Sequence, residues 1–246
     1  MAKQRLDTLL DFRGLAENID QAKRIIMAGL VYVDGQKRDK SGAMFPMDAT
    51  IVVRQTAPFV SRGGVKLAHA LDYFALNPAG DACLDVGAST GGFTDCLLQR
   101  GAKHVVALDV GRGQLDYRLR NDDRVSCIER THIRALTTAM LPTPVTVLVM
   151  DVSFITLGRV LPPAAWPHLA VGGWCVVLLK PQFEVEAKHL RGGVVRDDAI
   201  RQRVVDDGCA LVATLPGAEL LGVTPSPIRG PKGNIEFLIA ARRKSA

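Results

Sequence analysis

Two textures of apolar spacing follow one another along the chain. In the first, Leu6, Leu9 and Leu10 precede Gly14, and Ala22, Ile25, Ile26 and Leu30 recur at the spacing of a helix's buried face. Gly14 and Gly29 mark the ends of these two helices. Asn18 followed by Gln21 has the form of a capping box for the second helix, and Val31-Tyr32-Val33-Asp34-Gly35 reads as a strand entering a tight turn. A further strand at Ile51 to Val53 completes a small α+β unit, expected to occupy residues 1–60.

From Gln55 to Arg62, with Pro58, neither period persists, which marks a linker. Beyond it, apolar runs at Ala82 to Val86, His104 to Val110, Arg124 to Ile128, Val145 to Met150 and Trp174 to Leu179 alternate with helical patterns. Such strands, separated by helices, suit a parallel sheet covered on both faces. Glu219 to Val223 and Ile235 to Ala240 follow a long helix around Ala199 to Leu215 and complete a seven-stranded sheet. Residues 61–246 are therefore expected to form a doubly wound α/β domain with a mostly parallel sheet.

Composition narrows the class further. The 246 residues, 48% of them hydrophobic, suffice for one α/β core and a small extra unit. No run reaches the roughly 18 apolar residues of a membrane helix, and the opening Met1 to Gly14 has no signal-peptide apolar stretch. A cytoplasmic protein without a membrane partner is expected. Cys83, Cys96, Cys127, Cys175 and Cys209 are odd in number, far apart and outside any metal-ligand spacing, which points to reduced thiols and no metal site. The net charge of +6 is compatible with a polyanionic partner without demanding one.

Candidate chemistry begins at Leu84-Asp85-Val86-Gly87-Ala88-Ser89-Thr90-Gly91-Gly92-Phe93, where the first strand passes into a helix and a nucleoside cofactor can approach the backbone. Asp109, closing the second strand, is placed to hold a ribose diol. A dinucleotide would fit that much. Two details favour S-adenosylmethionine: Ser89 replaces the middle glycine that a pyrophosphate needs, and Asp85 offers a carboxylate to the cofactor's ammonium group, directly or through water. The arrangement resembles motif I of class I, Rossmann-like methyltransferases. That resemblance implies S-adenosylmethionine contacts at Asp85, Gly87, Ser89, Gly91, Gly92, Phe93 and Asp109, and adenine contacts near Glu129 to His132.

After the fourth strand stands Met150-Asp151-Val152-Ser153-Phe154, unlike the Pro-Pro-aromatic motif of base-amino methyltransferases or the Pro-Cys of those attacking pyrimidine carbon. Lys180 closes the fifth strand, Lys66 precedes the first, and Glu236 stands at the last. Lys66, Asp151, Lys180 and Glu236 resemble the Lys-Asp-Lys-Glu tetrad of FtsJ/RrmJ-type ribose 2′-O-methyltransferases. A ribose hydroxyl is a poor nucleophile until its proton leaves, so a base is required. Burial or a neighbouring cation favours the neutral form of a lysine, which suits Lys180 beside Lys66 to that task, with Asp151 holding Lys180 and Glu236 orienting Lys66 or the ribose.

The first unit carries nine Lys and Arg against seven Asp and Glu. Arg5, Arg13, Lys23, Arg24, Lys37, Arg38 and Lys40 read either as a phosphate-facing side or as a solvated face. Arg5-Leu6-Asp7 and the run Ala22 to Gly35 resemble the RNA-binding domain named for ribosomal small-subunit protein four, which favours the first reading and adds Arg62 at the end of the linker. Together with Val60 to Leu67, Asp85 to Phe93 and Asp151 to Ile155, the chain resembles the TlyA family from end to end. The resemblance implies an rRNA (cytidine-2′-O)-methyltransferase acting on ribosomal RNA; the short N-terminus resembles the subtype that modifies large-subunit rRNA only. Two other functions are weighed against it: the membrane-active hemolysin of the family's older name, for which no spanning or amphipathic segment is evident, and a noncatalytic RNA-binding assembly factor, against which the tetrad argues.

Overall fold

The computed structural model describes residues 3–54, 58–141 and 144–245, which divide between two units, Met1–Ala57 and Pro58–Ala246. In the first, β1 (Lys3–Arg5) leads into α1 (Leu6–Phe12), followed by α2 (Ile19–Met27), β2 (Val31–Val33), β3 (Gln36–Arg38), β4 (Met44–Pro46) and β5 (Ile51–Val53). β1 pairs with β4, and β2 lies between β3 and β5, all antiparallel. Leu6 and Leu10 of α1, Ala22 and Ile26 of α2, and Val31 and Val33 close one small core. Asn18 caps α2 by accepting from Gln21 N at 2.8 Å, while the Gln21 side chain takes Glu17 N and not the Asn18 amide of a reciprocal capping box. Of the predicted linker, residues 55–57 lie outside the described residues, and Pro58 to Arg62 form bends and a turn.

The second unit opens with α3 (Gly63–Tyr73), a helix that the apolar pattern does not announce. There follow β6 (Ala82–Val86), α4 (Gly92–Gln99), β7 (His104–Leu108), α5 (Tyr117–Arg120), β8 (Val125–Ile128), β9 (Val145–Met150), β10 (Leu169–Leu179), α6 (Pro181–Glu184), α7 (Asp198–Ala213), β11 (Ala218–Pro225) and β12 (Phe237–Arg243). The seven strands stand in the order β11-β12-β10-β9-β6-β7-β8. β12 runs antiparallel to both its neighbours, and the other pairs are parallel.

Alternation along each strand sends neighbouring residues to opposite faces. Leu148, Met150, Cys175 and Val177 enter one core with Trp166 and Leu161; Val147, Val149, Val176 and Leu178 enter the other with Leu67, Leu71 and Leu97. Both faces of the sheet are thus buried, as the continuous apolar runs require. The five cysteines are free, with Cys83, Cys96 and Cys175 buried. Among the described residues no helix is long and apolar enough to cross a membrane.

Parallel strands deliver the residues that follow them to a single rim. Gly87 follows β6, Asp109 follows β7, Asp151 follows β9 and Lys180 follows β10. Because β12 is antiparallel and pairs Phe237 with Leu179, Glu236 stands just before it on the same rim, beside Lys180.

Candidate active site

The glycine-rich turn is shaped by contacts that a side chain would break. Gly87 has a φ of +84°, and a Cβ there would lie 2.7 Å from the Asp151 carbonyl oxygen, so β6 and β9 approach too closely for any other residue. Gly92 starts α4 where a Cβ would fall 2.9 Å from Gly64 N of α3. Ser89, at the position a dinucleotide site fills with glycine, also adopts a left-handed φ of 50°, which an L side chain resists; its amide donates to Asp109 Oδ2 at 2.8 Å.

A cavity of about 420 Å³ opens beside this turn, within the range of small-molecule sites. Gly87, Ser89 and Asp109 line it with Val86, Leu108, Thr131, His132 and Ile133. Asp109 also accepts from Gly111 N at 2.6 Å. Each of its carboxylate oxygens therefore takes one backbone amide and keeps a lone pair for a diol. Glu129, at the start of the expected adenine region, is not on the wall. It accepts from Gly113 N at 2.7 Å and pairs with Arg120 at 2.5 Å, so the wall begins at Thr131.

Asp85 and Gly91 line neither this cavity nor its neighbour. Gly91 is the left-handed residue preceding α4 and faces Leu115 and Leu119. Asp85 alternates with Leu84 and Val86 and so faces α4, where its Oδ2 accepts from Thr94 Oγ1 at 2.7 Å; it is fully buried, and Oδ1 has no hydrogen-bond partner among the described residues. Burial pushes its carboxyl up to about 7, against the pull of the Thr94 hydrogen bond. A group that holds its proton more tightly folded than unfolded contributes stability that is full below the unfolded value and is lost as pH rises through the folded one. Stability should therefore fall between pH about 4 and about 7 and level off above. Asp85→Asn keeps the acceptor for Thr94 without the buried charge, and should flatten that decline by a few kcal/mol at neutral pH and above. Thermal unfolding across the range is the check; a variant tracking the wild type at every pH sinks the idea.

A second cavity of about 480 Å³ shares Gly87, Ser89, Asp151 and Ser153 with the first, and is lined further by Arg62, Lys66, Gly92, Phe93, Lys180 and Glu236. The four tetrad residues are thus brought to one cavity, divided into two ion pairs. Lys66 Nζ lies 2.5 Å from Glu236 Oε2, both side chains buried. Lys180 Nζ lies 2.5 Å from Asp151 Oδ1, a charge contact outside hydrogen-bond angles, and donates to Ser153 Oγ at 2.7 Å. Phe93 and Gly92 belong to this cavity and not to the one beside Asp109.

Two functional candidates escaped the sequence reading. Ser153 stands on the wall between the cavities and accepts from Lys180. Phe154, next to it, has a φ of +65° and is 89% exposed, with its ring 5.0 Å from that of Phe183. An aromatic residue held out in a strained backbone at the cavity mouth offers a flat face to a planar ligand.

In the first unit the basic residues separate by role. Arg13 donates to Ala49 O at 2.7 Å and to Met47 O, which ties down the chain before β5 and withdraws it from a phosphate face. Arg5 pairs with the buried Asp7 at 2.7 Å and holds that carboxyl below the usual range. Lys23 contacts Asp20 at 3.4 Å; Arg24, Lys37 and Lys40 are exposed; and Arg38 lies 5.3 Å over the Phe45 ring. Arg54, unremarked in the sequence, stacks 4.1 Å over Tyr32.

A family model for FtsJ-like methyltransferase matches residues 59–243, and one for the S4 domain matches residues 4–46. The 16S/23S rRNA (cytidine-2′-O)-methyltransferase TlyA of Mycobacterium tuberculosis (strain ATCC 25618 / H37Rv) is 45% identical over 99% of this chain and 91% of its own. Hemolysin A of Brachyspira hyodysenteriae is 41% identical over 95% of this chain and 98% of its own. A solved structure described as a hemolysin from Streptococcus thermophilus matches 100% of this chain and 90% of that one, with a TM-score of 0.73 and 39% identity.

Proposed function

The chain belongs to the FtsJ-like methyltransferase family, and on that premise we propose that it methylates a ribose 2′-hydroxyl of ribosomal RNA, cytidine being the nucleoside named for its Mycobacterium tuberculosis relative. The protein is an S-adenosylmethionine-dependent methyltransferase whose N-terminal unit, Met1–Ala57, grips RNA and whose second unit, Pro58–Ala246, carries the chemistry. The observation that carries the reading is the gathering of Lys66, Asp151, Lys180 and Glu236 around one cavity that shares a wall with another suited to a nucleoside. A cytoplasmic location follows from a ribosomal substrate.

The residues present fit the methyl donor. Asp109 retains lone pairs for a ribose diol, Gly87 leaves its backbone bare, and the apolar wall from Val86 to Ile133 suits a flat base. Bound there, S-adenosylmethionine supplies an electrophilic methyl group. The remaining work falls to the second cavity. Lys180, once its ammonium has given its proton to solvent, would take the hydroxyl proton while the ribose oxygen accepts a methyl group from the bound donor. Asp151 then faces the ammonium so formed, and Ser153 fixes the direction of the amine. Lys66, held by Glu236, presents a positive charge to the oxygen as it develops negative character.

The test is direct. Purified protein, S-adenosylmethionine and unmethylated ribosomal RNA of each subunit should give a 2′-O-methylated cytidine, located by mass mapping of nuclease fragments. Methyl groups on a base, or none on either RNA, would overturn the assignment.

A further inference from the structure

Two loops at the rim, residues 186–196 and 226–236, are knitted into one body by a single buried side chain. Asn234, 3% exposed, accepts from Val195 N at 3.2 Å and donates to Gly193 O at 2.9 Å and to Pro231 O at 3.1 Å. The second loop closes on itself through Ser226 N to Glu236 O at 2.8 Å and Gly230 N to Asn234 O at 2.9 Å. That closure lays Gly230 against the Glu236 carboxylate so tightly that a Cβ would collide with it. The loop body is therefore continuous with the Lys66–Glu236 pair, and Pro231 lines the same cavity.

What the body presents outward is positive. Arg191, Arg196, Arg229 and Lys232 are all exposed, and none is in an ion pair among the described residues. The acids nearest in sequence are engaged elsewhere: Glu186 pairs with Lys188 at 3.0 Å, and Asp197 caps α7 by accepting from Ala199 N at 2.8 Å. Lys232 lies over Gly193 of the other loop, and Arg229 reaches back to Gly233 O at 3.1 Å, so the cations straddle both loops. Four unpaired charges on a braced scaffold beside a catalytic cavity suit a polyanion better than a solvated face, for which no brace is needed.

The geometry points to this loop body as a second RNA-phosphate contact surface, in the catalytic unit itself, that holds the strand carrying the reactive ribose and keeps Glu236 in place through Asn234. The inference rests on the ribose-methylation reading. Arg191 with Arg196 and Arg229 with Lys232 are replaced in pairs by Gln in the full chain, and binding to ribosomal RNA transcribed in vitro is measured between about 50 and 200 mM salt. Each pair should weaken binding roughly tenfold and make the salt dependence shallower by about one to two in logarithmic slope, with melting temperature and S-adenosylmethionine affinity unchanged. Asn234→Ala should weaken RNA binding and also lower kcat, while Asn234→Asp, which keeps the acceptor for Val195 N, should recover part of both. Wild-type affinity and slope in both paired variants would overturn the inference. Wild-type protein that binds the transcript but leaves its riboses unmethylated would instead remove the underlying reading, so the two failures are told apart.

Discussion

Lys180→Ala should reduce methyl transfer to the 2′-hydroxyl by about 10²–10⁴-fold, the usual contribution of a positioned base, while S-adenosylmethionine still binds. The amine lies in the second cavity, 2.5 Å from Asp151 and 2.7 Å from Ser153, and is absent from the wall on which Asp109 sits. Loss of the amine should therefore fall on the chemical step. Lys180→Arg should be nearly as damaging, because guanidinium keeps the charge facing Asp151 yet does not surrender its proton in a protein. Single-turnover rates separate this step from product release. Calorimetry with the methyl donor alone shows whether the longer side chain has disturbed the neighbouring cavity. An Arg variant with near-normal single-turnover rate would mean that Lys180 acts by charge alone, and the base would have to be sought elsewhere.

The fold was legible where burial imposes a period. β6, β7, β9 and the second half of β10 are almost wholly apolar, with only Asp85, His104 and Thr146 among their residues polar, because helices cover both sheet faces. β10 begins at Leu169, ahead of the run that starts at Trp174, because its register with β9 shifts across Gly172 and Gly173. The polar three-residue strands β1 and β3 are too short to show a period, and α3 starts with Gly63-Gly64, poor helix formers kept for packing against Phe59 and α4. Tetrad membership could be read from strand ends, since each residue follows or precedes an apolar run. Its division into Lys66–Glu236 and Lys180–Asp151 depends on the antiparallel register of β12, which no local pattern encodes. Asp85 shows what alternation alone can tell: its place between Leu84 and Val86 turns it toward α4, where it meets Thr94. Ser153, Phe154 and Asn234 had no such pattern, because their roles come from contacts between loops.

Removing Glu236 should be the most destabilising change at the site. Its side chain is wholly buried and Lys66 is 7% exposed, so Glu236→Ala would leave an ammonium shut away from water with its counter-charge gone. Breaking one partner of such a pair costs about 3–5 kcal/mol, whereas replacing both by apolar groups of similar volume is often neutral or stabilising. In a domain of this size that loss corresponds to a fall in melting temperature on the order of 10 °C. Glu236→Gln retains shape and one acceptor, and should fall between. The double variant Lys66→Met with Glu236→Leu should regain most of the lost stability while remaining inactive, because the cavity would then have neither the cation at the developing oxyanion nor the carboxylate behind it. Since the pair is shielded, added salt should change these differences little, unlike those of surface pairs such as Arg100–Asp72. Thermal unfolding of the three variants at low and high salt decides the matter: a Glu236→Ala protein melting with the wild type, or a double variant no more stable than the single one, would mean that the pair is solvated and its energetics ordinary.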